Sequence, residues 1–384
     1  MSTVEFTTAN KVICKIGAVE QISAHCRSLG ISRPLIVTDP GLIKAGLIES
    51  ITTPLNKAGI TAVIYSDIQA DPPESLVLSA ADFAKQLEVD GVIGFGGGSS
   101  LDVAKLIAVL VKSEQTLSDM YGIDKITGKR LPLILLPTTA GTGSEVTPIS
   151  IITTGATTKS GVVSPTLLPD IAILDATLTV GLPPAITAAT GIDAMVHAIE
   201  AFTGKIKKNT YSDMLAKEAL RLMSQNLLEV VKNGNNLEAR SDMLLGALMA
   251  GQAFANSPVG AVHALAYPLG GNYHIPHGLS NSLVLPHVLR FNAPDATDLY
   301  AQLLPSVSGG HKHETGSQGC NQFIDFIDNL ITDVELPKNL RTLNVPQEDL
   351  GKLADEAMQQ QRLLINNPRE VTREHALGIY ELAY

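Results

Sequence analysis

Two side chains able to bind a metal ion lie four residues apart in an apolar segment. Asp193 and His197 occupy positions i and i+4 of Gly191–Phe202 (GIDAMVHAIEAF). On a helix this spacing places both side chains on one face. Because their neighbours are apolar, we expect that face to point inward, where a carboxylate and an imidazole cost free energy unless both are paired. A divalent metal ion would provide that pairing.

Two further histidines have similar surroundings. His263 lies in the apolar segment Val262–Ala266, and His277 follows in Ile275–Gly278. A single histidine of this kind is usually a core residue with its hydrogen bonds satisfied. One carboxylate and three imidazoles together form a ligand shell that Fe²⁺ or Zn²⁺ accepts, with a position left open for solvent or substrate. His274 forms an HxxH spacing with His277 and competes as a ligand or a nearby donor.

A glycine-rich segment, Gly96–Ser100 (GGGSS), follows an apolar run and precedes a helical pattern. Glycines allow a pyrophosphate to approach the backbone closely, and a helix N-terminus offers free N–H groups. The segment matches neither GxGxxG nor a P-loop, and a tight strand-to-helix turn would explain it as well. A second loop, Pro137–Glu145 (PTTAGTGSE), also follows an apolar run. Since open α/β sheets bind ligands at the carboxyl ends of their strands, the two loops favour one ligand that spans both.

An acidic residue, Asp39, ends another apolar run, Pro34–Thr38. A carboxylate there can accept hydrogen bonds from ribose hydroxyls and would repel a 2′-phosphate, which favours NAD over NADP. An Asp-Pro-Gly turn would need no ligand.

The loops belong to an alternation of strand and helix patterns in the first half of the chain. Short apolar runs predict strands at Pro34–Thr38, Thr61–Tyr65, Gly91–Phe95, Leu131–Leu136 and Ile171–Leu174. Helical patterns lie between them, at Glu74–Leu87 and Leu101–Lys112. This order predicts a parallel sheet covered on both faces.

The pattern changes near residue 180, after which long helices rich in Ala, Leu and Met are predicted. They cover Ala185–Phe202, Tyr211–Val231 and Leu237–Phe254, and the tail after residue 320 also reads as helical. We therefore predict an α/β N-terminal dinucleotide-binding domain (residues 1–180) and an all-α C-terminal metal-binding domain (residues 181–384). Ser306–Gly319 resembles a flexible loop, with His311 and His313 on the surface.

The composition excludes some classes of partner. The 384 residues carry a net charge of −10, no Trp and 4% aromatic residues, which disfavours a nucleic-acid-binding surface. The apolar runs are far shorter than the roughly 20 residues of a membrane helix, and the N-terminus shows no signal peptide. Three cysteines in no CxxC spacing are typical of a reducing compartment. We expect a cytoplasmic protein without a nucleic-acid or membrane partner.

The chain resembles the iron-containing (group III) alcohol dehydrogenases over nearly its whole length. The resemblance is carried by Gly96–Asp102, Pro137–Glu145, Leu167–Asp175, Ala189–Phe202 and Val262–His287. The combination is specific, although GGGS alone is not. The resemblance implies an NAD(P)-dependent dehydrogenase with an α/β cofactor domain and a helical metal domain, assembled as a homodimer or larger homo-oligomer.

The same resemblance implies roles for individual residues. The metal ligands would be Asp193, His197, His263 and His277, holding Fe²⁺, with Zn²⁺ as the alternative for the same shell. The NAD contacts would be Asp39, Gly97, Gly98, Ser99, Asp102, Thr138, Thr139, Thr142, Thr147, Lys159, Leu178, Gly181 and Leu182.

Two positions depart from the family pattern. Many members have a second histidine where this chain has Tyr267, so a proton-relay role would pass to Tyr267 or His274. Members often read Pro-Asn-Pro where this chain has Ala70-Asp71-Pro72, and Asp71 cannot donate the amide hydrogen bond that Asn would.

We therefore expect hydride transfer between a small primary alcohol, or its aldehyde, and NAD. The alternative is a lyase similar to dehydroquinate synthase, which also uses NAD and a metal. Such a lyase should place several Lys or Arg residues near the metal to hold a sugar phosphate, and Gly191–Phe202 and Val262–His277 contain none. A non-catalytic binding protein with this fold is disfavoured by the complete set of four ligands.

Overall fold

Two units make up the chain, and they meet in the sequence between Leu182 and Pro183. The computed structural model describes residues 4–155, 158–309 and 314–384. Of these residues, one unit comprises those from 7 to 182, and the other comprises those from 183 to 384 together with residues 4–6.

Residues 7–182 form an α/β unit. Its strands are β1 (Val12–Cys14), β2 (Pro34–Val37), β3 (Val63–Tyr65), β4 (Gly91–Gly96), β5 (Gly122–Ile123), β6 (Leu133–Pro137), β7 (Ile149–Thr154), β8 (Thr158–Val163) and β9 (Ile171–Leu174). Its α-helices are α1 (Ile22–Ser28), α2 (Pro40–Lys44), α3 (Glu49–Lys57), α4 (Glu74–Gln86), α5 (Gly98–Leu110) and α6 (Leu117–Met120).

The main sheet has six strands in the order β1-β9-β6-β4-β2-β3, and every neighbouring pair is parallel. Ile93 of β4 lies between Ile36 of β2 and Ile134 of β6. These three side chains enter one hydrophobic cluster, while Val92 and Leu35 enter another on the opposite face. The prediction of a parallel sheet covered on both faces is therefore confirmed, because successive strand residues alternate between two cores.

A second sheet, in the order β5-β8-β7, was not predicted. Its strands β7 and β8 form an antiparallel hairpin. β8 reads TKSGVV, with polar residues at its start, so it lacks the apolar run that marks the buried strands. The sequence pattern for a buried parallel strand cannot detect a hairpin of this composition.

The second unit is helical in every regular element that the structure describes. It contains α7 (Pro184–Thr203), α8 (Thr210–Lys232), α9 (Leu237–Asn256), α10 (Ala261–Tyr273), α11 (His277–Val307), α12 (Gly316–Asp333), α13 (Leu350–Ala357), α14 (Gln361–Leu364) and α15 (Arg373–Ala383). α7 begins with Pro184, which suits the first helical position, and α8 and α9 begin after the capping side chains of Asn209 and Asn236. The predicted α/β-then-all-α order of the chain is confirmed.

The prediction of a flexible loop at Ser306–Gly319 is wrong at both ends. Ser306 lies in the last turn of α11, and α12 already begins at Gly316. Gly319 packs so tightly that a Cβ atom there would lie 2.2 Å from the Glu314 carbonyl oxygen. Gly319, the last residue of that predicted loop, is therefore required by close packing. His311 and His313 lie outside the described residues.

No helix in the described part of the chain is long and apolar enough to cross a membrane. Cys14, Cys26 and Cys320 are not joined in disulfides.

Candidate metal and cofactor sites

The four predicted metal ligands meet in the helical unit. The ligand atoms of Asp193, His197, His263 and His277 all lie within 4.8 Å of one another. Three of these residues are buried, whereas the His277 side chain is 42% exposed. Three helices contribute: α7 carries Asp193 and His197, α10 carries His263, and α11 begins with His277. The cluster can therefore hold one cation that stays accessible from the side of His277.

The chemistry of the donor atoms fits a divalent transition metal. Asp193 Oδ1 lies 3.6 Å from His277 Nε2 and 4.0 Å from His263 Nε2. Burial by itself would raise the pKa of Asp193, but the three histidines, together with a hydrogen bond from Asn281, bring that pKa below its ordinary value. An ionised carboxylate beside three imidazoles is the nitrogen and oxygen set that Fe²⁺ and Zn²⁺ accept.

Packing fixes the directions of the ligands. The His197 ring stacks between Phe254 and His263, with centroid distances of 4.3 and 4.8 Å. The residue after His277 is Gly278, where a Cβ atom would lie 2.4 Å from the Ala189 carbonyl oxygen on α7. Only glycine allows the start of α11 to come this close to α7.

Two residues that contact the ligands were missed by the sequence analysis. Glu200 Oε2 lies 2.6 Å from His263 Nδ1, and Asn281 Nδ2 donates to Asp193 Oδ1 at 2.6 Å. Spacing could have identified both of them. Glu200 follows His197 by three residues on the same helix face, and Asn281 follows His277 by four.

The two candidates for the family's second histidine lie in different places. The Tyr267 ring is 5.9 Å from the His277 ring, centroid to centroid. His274 is exposed, has a left-handed backbone conformation (φ 54°) and ends α10. It is not part of the cluster of four ligands.

In the α/β unit, the predicted loops follow three adjacent strands. Thr138, after β6, donates its N–H to the Gly96 carbonyl at the end of β4 (3.0 Å). A Cβ atom at Gly96 would lie 3.4 Å from Asp39 Oδ2, and one at Gly98 would lie 2.8 Å from Thr142 Cγ2. A Cβ atom at Gly97 would approach Thr139 to 3.8 Å. The structure thus brings together Asp39, Gly97, Gly98, Ser99, Thr138, Thr139 and Thr142 at one edge of the sheet.

Asp39 also has a structural role. Its Oδ1 accepts the Leu42 N–H at 3.1 Å and caps α2, with Pro40 as the first helical residue. In place of the Asp-Pro-Gly turn that the sequence offered as an alternative explanation, the structure has a helix cap, which needs no ligand either. It uses one carboxylate oxygen, and Oδ2 faces Gly96.

Asp102 and Thr147 lie in a buried network around Lys105. Lys105 Nζ donates to the Ile149 carbonyl (2.7 Å) and to Thr147 Oγ1 (3.3 Å), and it lies 3.5 Å from Asp102 Oδ1. The two oxygens of Asp102 accept hydrogen bonds from the Ser144 hydroxyl (2.6 Å) and the Ile151 N–H (2.8 Å). The network links α5, the threonine-rich loop and β7. Its side chains were not recognised as a unit in the sequence, because only the fold brings them together.

Burial shifts the pKa values of this network. Lys105 is fully buried, and desolvation lowers its pKa. Desolvation also raises the pKa of the neighbouring Glu145 to about 7. Glu145 Oε2 is buried without a hydrogen-bond partner.

The remaining predicted NAD contacts lie elsewhere in the α/β unit. Lys159 donates to Thr153 Oγ1 (3.0 Å) and forms an ion pair with Asp71. Leu178 is buried in the hydrophobic cluster on one face of the sheet, and Gly181 is exposed. Leu182 is half-buried, and its N–H bonds to the Thr179 carbonyl.

The fold and the two groups of residues define a class of protein. A parallel sheet with glycine- and threonine-rich loops after adjacent strands is typical of dinucleotide binding, and the Asp/His cluster is typical of a catalytic metal. This combination indicates a metal-dependent oxidoreductase.

Comparison with known proteins specifies the class. The sequence model of the iron-containing alcohol dehydrogenase family matches residues 9–176. The sequence model of the C-terminal part of the same family matches residues 187–384. Long-chain-alcohol dehydrogenase 1 of Geobacillus thermodenitrificans is 40% identical over 96% of this chain and 93% of its own length.

Solved structures agree with these matches. The crystal structure of a 1,3-propanediol oxidoreductase superposes with a TM-score of 0.96 at 33% identity, covering all of both chains. The sulfoacetaldehyde reductase of Bifidobacterium kashiwanohense, solved in complex with NAD⁺, has a TM-score of 0.90 at 27% identity, covering 100% of this chain and 99% of that chain.

The chain belongs to the iron-containing alcohol dehydrogenase family. It is an oxidoreductase of alcohols, and the predicted class, an NAD-dependent enzyme of the iron type, is confirmed. The lyase alternative is not favoured.

Proposed function

We propose that the chain interconverts a small primary alcohol and its aldehyde with NAD, at a metal site formed by Asp193, His197, His263 and His277. The observation that carries the proposal is the convergence of the four ligand atoms within 4.8 Å. The exposed side of His277 leaves the cluster open to a small molecule.

The residues divide the chemistry between them. A metal ion held by Asp193, His197, His263 and His277 would supply Lewis-acid chemistry at the substrate oxygen, and bound NAD would supply the hydride acceptor or donor. Asp193 supplies negative charge to the ligand set, and the Asn281 amide orients that carboxylate. The apolar residues around α7 restrict water at the buried ligands, which strengthens every electrostatic interaction there.

NAD is proposed to bind at the edge of the sheet where β2, β4 and β6 end. Asp39 would accept from the adenosine ribose, and the free N–H groups of Gly98 and Ser99 at the start of α5 would face the pyrophosphate. Thr138, Thr139 and Thr142 lie against Gly96, Gly97 and Gly98, respectively. The NAD⁺ complex of the related sulfoacetaldehyde reductase supports this proposal.

Asp102 and Thr147 would act through the Lys105 network, by holding the loops in place. Lys159, Leu178, Gly181 and Leu182 remain proposed contacts through the family resemblance. On this proposal residues 1–180 form the cofactor domain and residues 181–384 form the metal domain.

Tyr267 is the residue we propose in place of the family's second histidine. Its ring lies beside His277, whereas His274 is outside the cluster. Tyr267→Phe should lower kcat and change its pH profile, and His274→Ala should do neither. The opposite pattern would transfer the role to His274.

A homodimer or larger assembly in the cytoplasm is proposed from the family resemblance. Light scattering at micromolar protein should give a multiple of 40.6 kDa. A monomer mass would contradict the assembly, and recovery in the membrane or secreted fraction would contradict the location.

The activity is tested by following NADH absorbance with a panel of small alcohols and aldehydes, with and without a chelator. We expect turnover that a chelator abolishes and that added Fe²⁺ restores. Turnover that is insensitive to complete metal removal would contradict the proposed site.

A further inference from the structure

Glu200 lies behind one of the metal ligands and bonds with both of its carboxylate oxygens. Oε2 lies 2.6 Å from His263 Nδ1, and Oε1 accepts the Val262 N–H at 2.7 Å. The side chain is buried, with 6% exposure. Carboxylates are rarely buried unless they are paired or hydrogen-bonded, because burying an unpaired charge costs free energy. The two contacts of Glu200 therefore require an explanation.

The contact with His263 selects one form of the imidazole. A carboxylate only accepts hydrogen bonds, so the proton of a neutral His263 must be on Nδ1. The lone pair is then on Nε2, the nitrogen that faces Asp193 Oδ1 at 4.0 Å. The opposite tautomer would direct an N–H into the cluster and could not bind a cation.

The second contact fixes the backbone that carries the histidine. Gly260 is the N-cap of α10, and Val262 is the second helical residue, whose N–H has no partner within the helix. Glu200 satisfies that N–H and places negative charge at the positive end of the helix. One carboxylate therefore holds both the first turn of α10 and the ring of His263.

A small cavity of about 10 Å³ adjoins Glu200. Its lining includes Gly260, Asn292, Tyr300 and Asn367, and the two asparagines bond to each other through both side-chain amides. A cavity of this size is at the lower limit for one water molecule. The space behind Glu200 therefore holds at most about one water molecule, and the carboxylate stays buried on this side.

We propose that Glu200 is a positioning residue of the metal centre, which holds His263 in the tautomer and orientation that bind the cation. The proposal rests on the proposed metal site. A carboxylate behind a metal-binding histidine raises the basicity of the ligand, and its loss typically costs 10–100-fold in metal affinity.

Glu200→Gln is the decisive variant because it keeps the shape and removes one acceptor. Gln can accept from His263 only by turning its NH₂ toward the Val262 N–H, or it can donate to Nδ1 and shift the ring proton to Nε2. We expect a 10–100-fold weaker affinity for Zn²⁺ or Fe²⁺, measured by competition with a chelator on folded protein.

The tautomer of His263 is a second measurement, and it should not change if Glu200 has only a structural role. In metal-free protein with ¹⁵N-labelled histidine, the wild type should show His263 protonated on Nδ1, and Glu200→Gln should show protonation on Nε2 in part or in full. Glu218→Gln is the matched control, since Glu218 pairs with Arg221 on the surface of α8. It should leave both the affinity and the tautomer unchanged.

The outcomes separate the two claims. If the wild type binds no divalent metal, the proposed metal site fails. If the wild type binds metal and Glu200→Gln binds it equally well with an unchanged His263 tautomer, the role of Glu200 is overturned. If Glu200→Gln does not fold, Glu200→Asp retains the charge but shortens the reach, and normal metal affinity in that variant would also overturn the proposal.

Discussion

Two buried groups of charged residues serve the two units in opposite ways. In the helical unit, one carboxylate oxygen of Asp193 and one nitrogen of each of three imidazoles converge on a common point. The Asn281 amide donates a hydrogen bond to Asp193 and lies within hydrogen-bond distance of His263 and His277. In the α/β unit, acceptors from Asp102, Thr147 and Ile149 surround the Lys105 ammonium. The first group needs a metal ion from solution, whereas the second already contains a cation, the Lys105 side chain.

The difference explains why the Asp/His cluster can bind a ligand, whereas the Lys105 network supports the structure of the α/β unit. A buried charge is stable only when it is paired. The Lys105 ammonium has its acceptors within the chain, so it can hold the two loops at the sheet edge without a ligand. The metal cluster is completed by an ion, so its affinity and its chemistry depend on what binds there.

The largest expected effect comes from removing a metal ligand. Asp193→Ala or His263→Ala should abolish metal binding and lower activity by orders of magnitude while the fold persists. Metal analysis, NADH assays and circular dichroism measure the three quantities. Asp325→Ala, an exposed carboxylate on α12, is the control and should behave as wild type. Normal metal content and turnover in both ligand variants would show that Asp193 and His263 do not bind the metal.

Removing the internal cation should mainly affect the stability of the α/β unit. Lys105→Met leaves Asp102 without its buried counter-charge, and losing one partner of a buried pair costs about 3–5 kcal/mol. Denaturant unfolding should show this loss, and the KM for NAD should rise because both loops lose a tether. Metal content should not change. Lys85→Met, at an exposed position on α4, is the matched control. Unchanged stability would mean that Lys105 is not essential to the scaffold.

Sequence patterns predicted these two regions unequally. Near-continuous apolar runs at Gly91–Phe95 and Ile171–Leu174 identified strands of the main sheet, because a buried parallel strand leaves that signature. The four proposed metal ligands, which the structure brings together, were predicted because ionisable residues in apolar segments are unusual. The Lys105 network was not identified, since its members are spread from residue 102 to residue 151 and meet only in the folded chain.

The next effect concerns which cofactor the sheet edge accepts. A 2′-phosphate beside Asp39 would place like charges at ~4 Å, which costs about 1 kcal/mol in water and about 4 kcal/mol at an effective dielectric of 20. Lost hydrogen bonds to the ribose would add to this cost. The native enzyme should therefore prefer NAD strongly, and Asp39→Gly should shift the ratio of kcat/KM toward NADP.

A second substitution at Asp39 provides the control for this measurement. Because its Oδ1 also caps α2, Asp39→Asn keeps a capping side chain while removing the charge. It should relax the preference with less loss of stability than Asp39→Gly. Equal kcat/KM with NAD and NADP in the native enzyme would show that Asp39 does not select the cofactor.

The smallest expected effect is a pH dependence of stability that arises from Glu145. Burial raises its pKa from 4.5 to about 7 in the folded chain, so the folded state binds more protons than the unfolded state between these values. Its contribution to stability is therefore greatest below pH 4.5, falls as pH rises and is lost above pH 7. Glu145→Gln, which cannot ionise, should gain stability relative to wild type as pH increases from 5 to 8. Because Glu145 and Lys105 interact electrostatically, the difference between the unfolding midpoints of the two proteins reports Glu145 together with its effect on Lys105. Glu49→Gln, at an exposed position on α3, should show no such trend, and a difference that does not vary with pH would mean that Glu145 is ionised in the folded chain throughout this range.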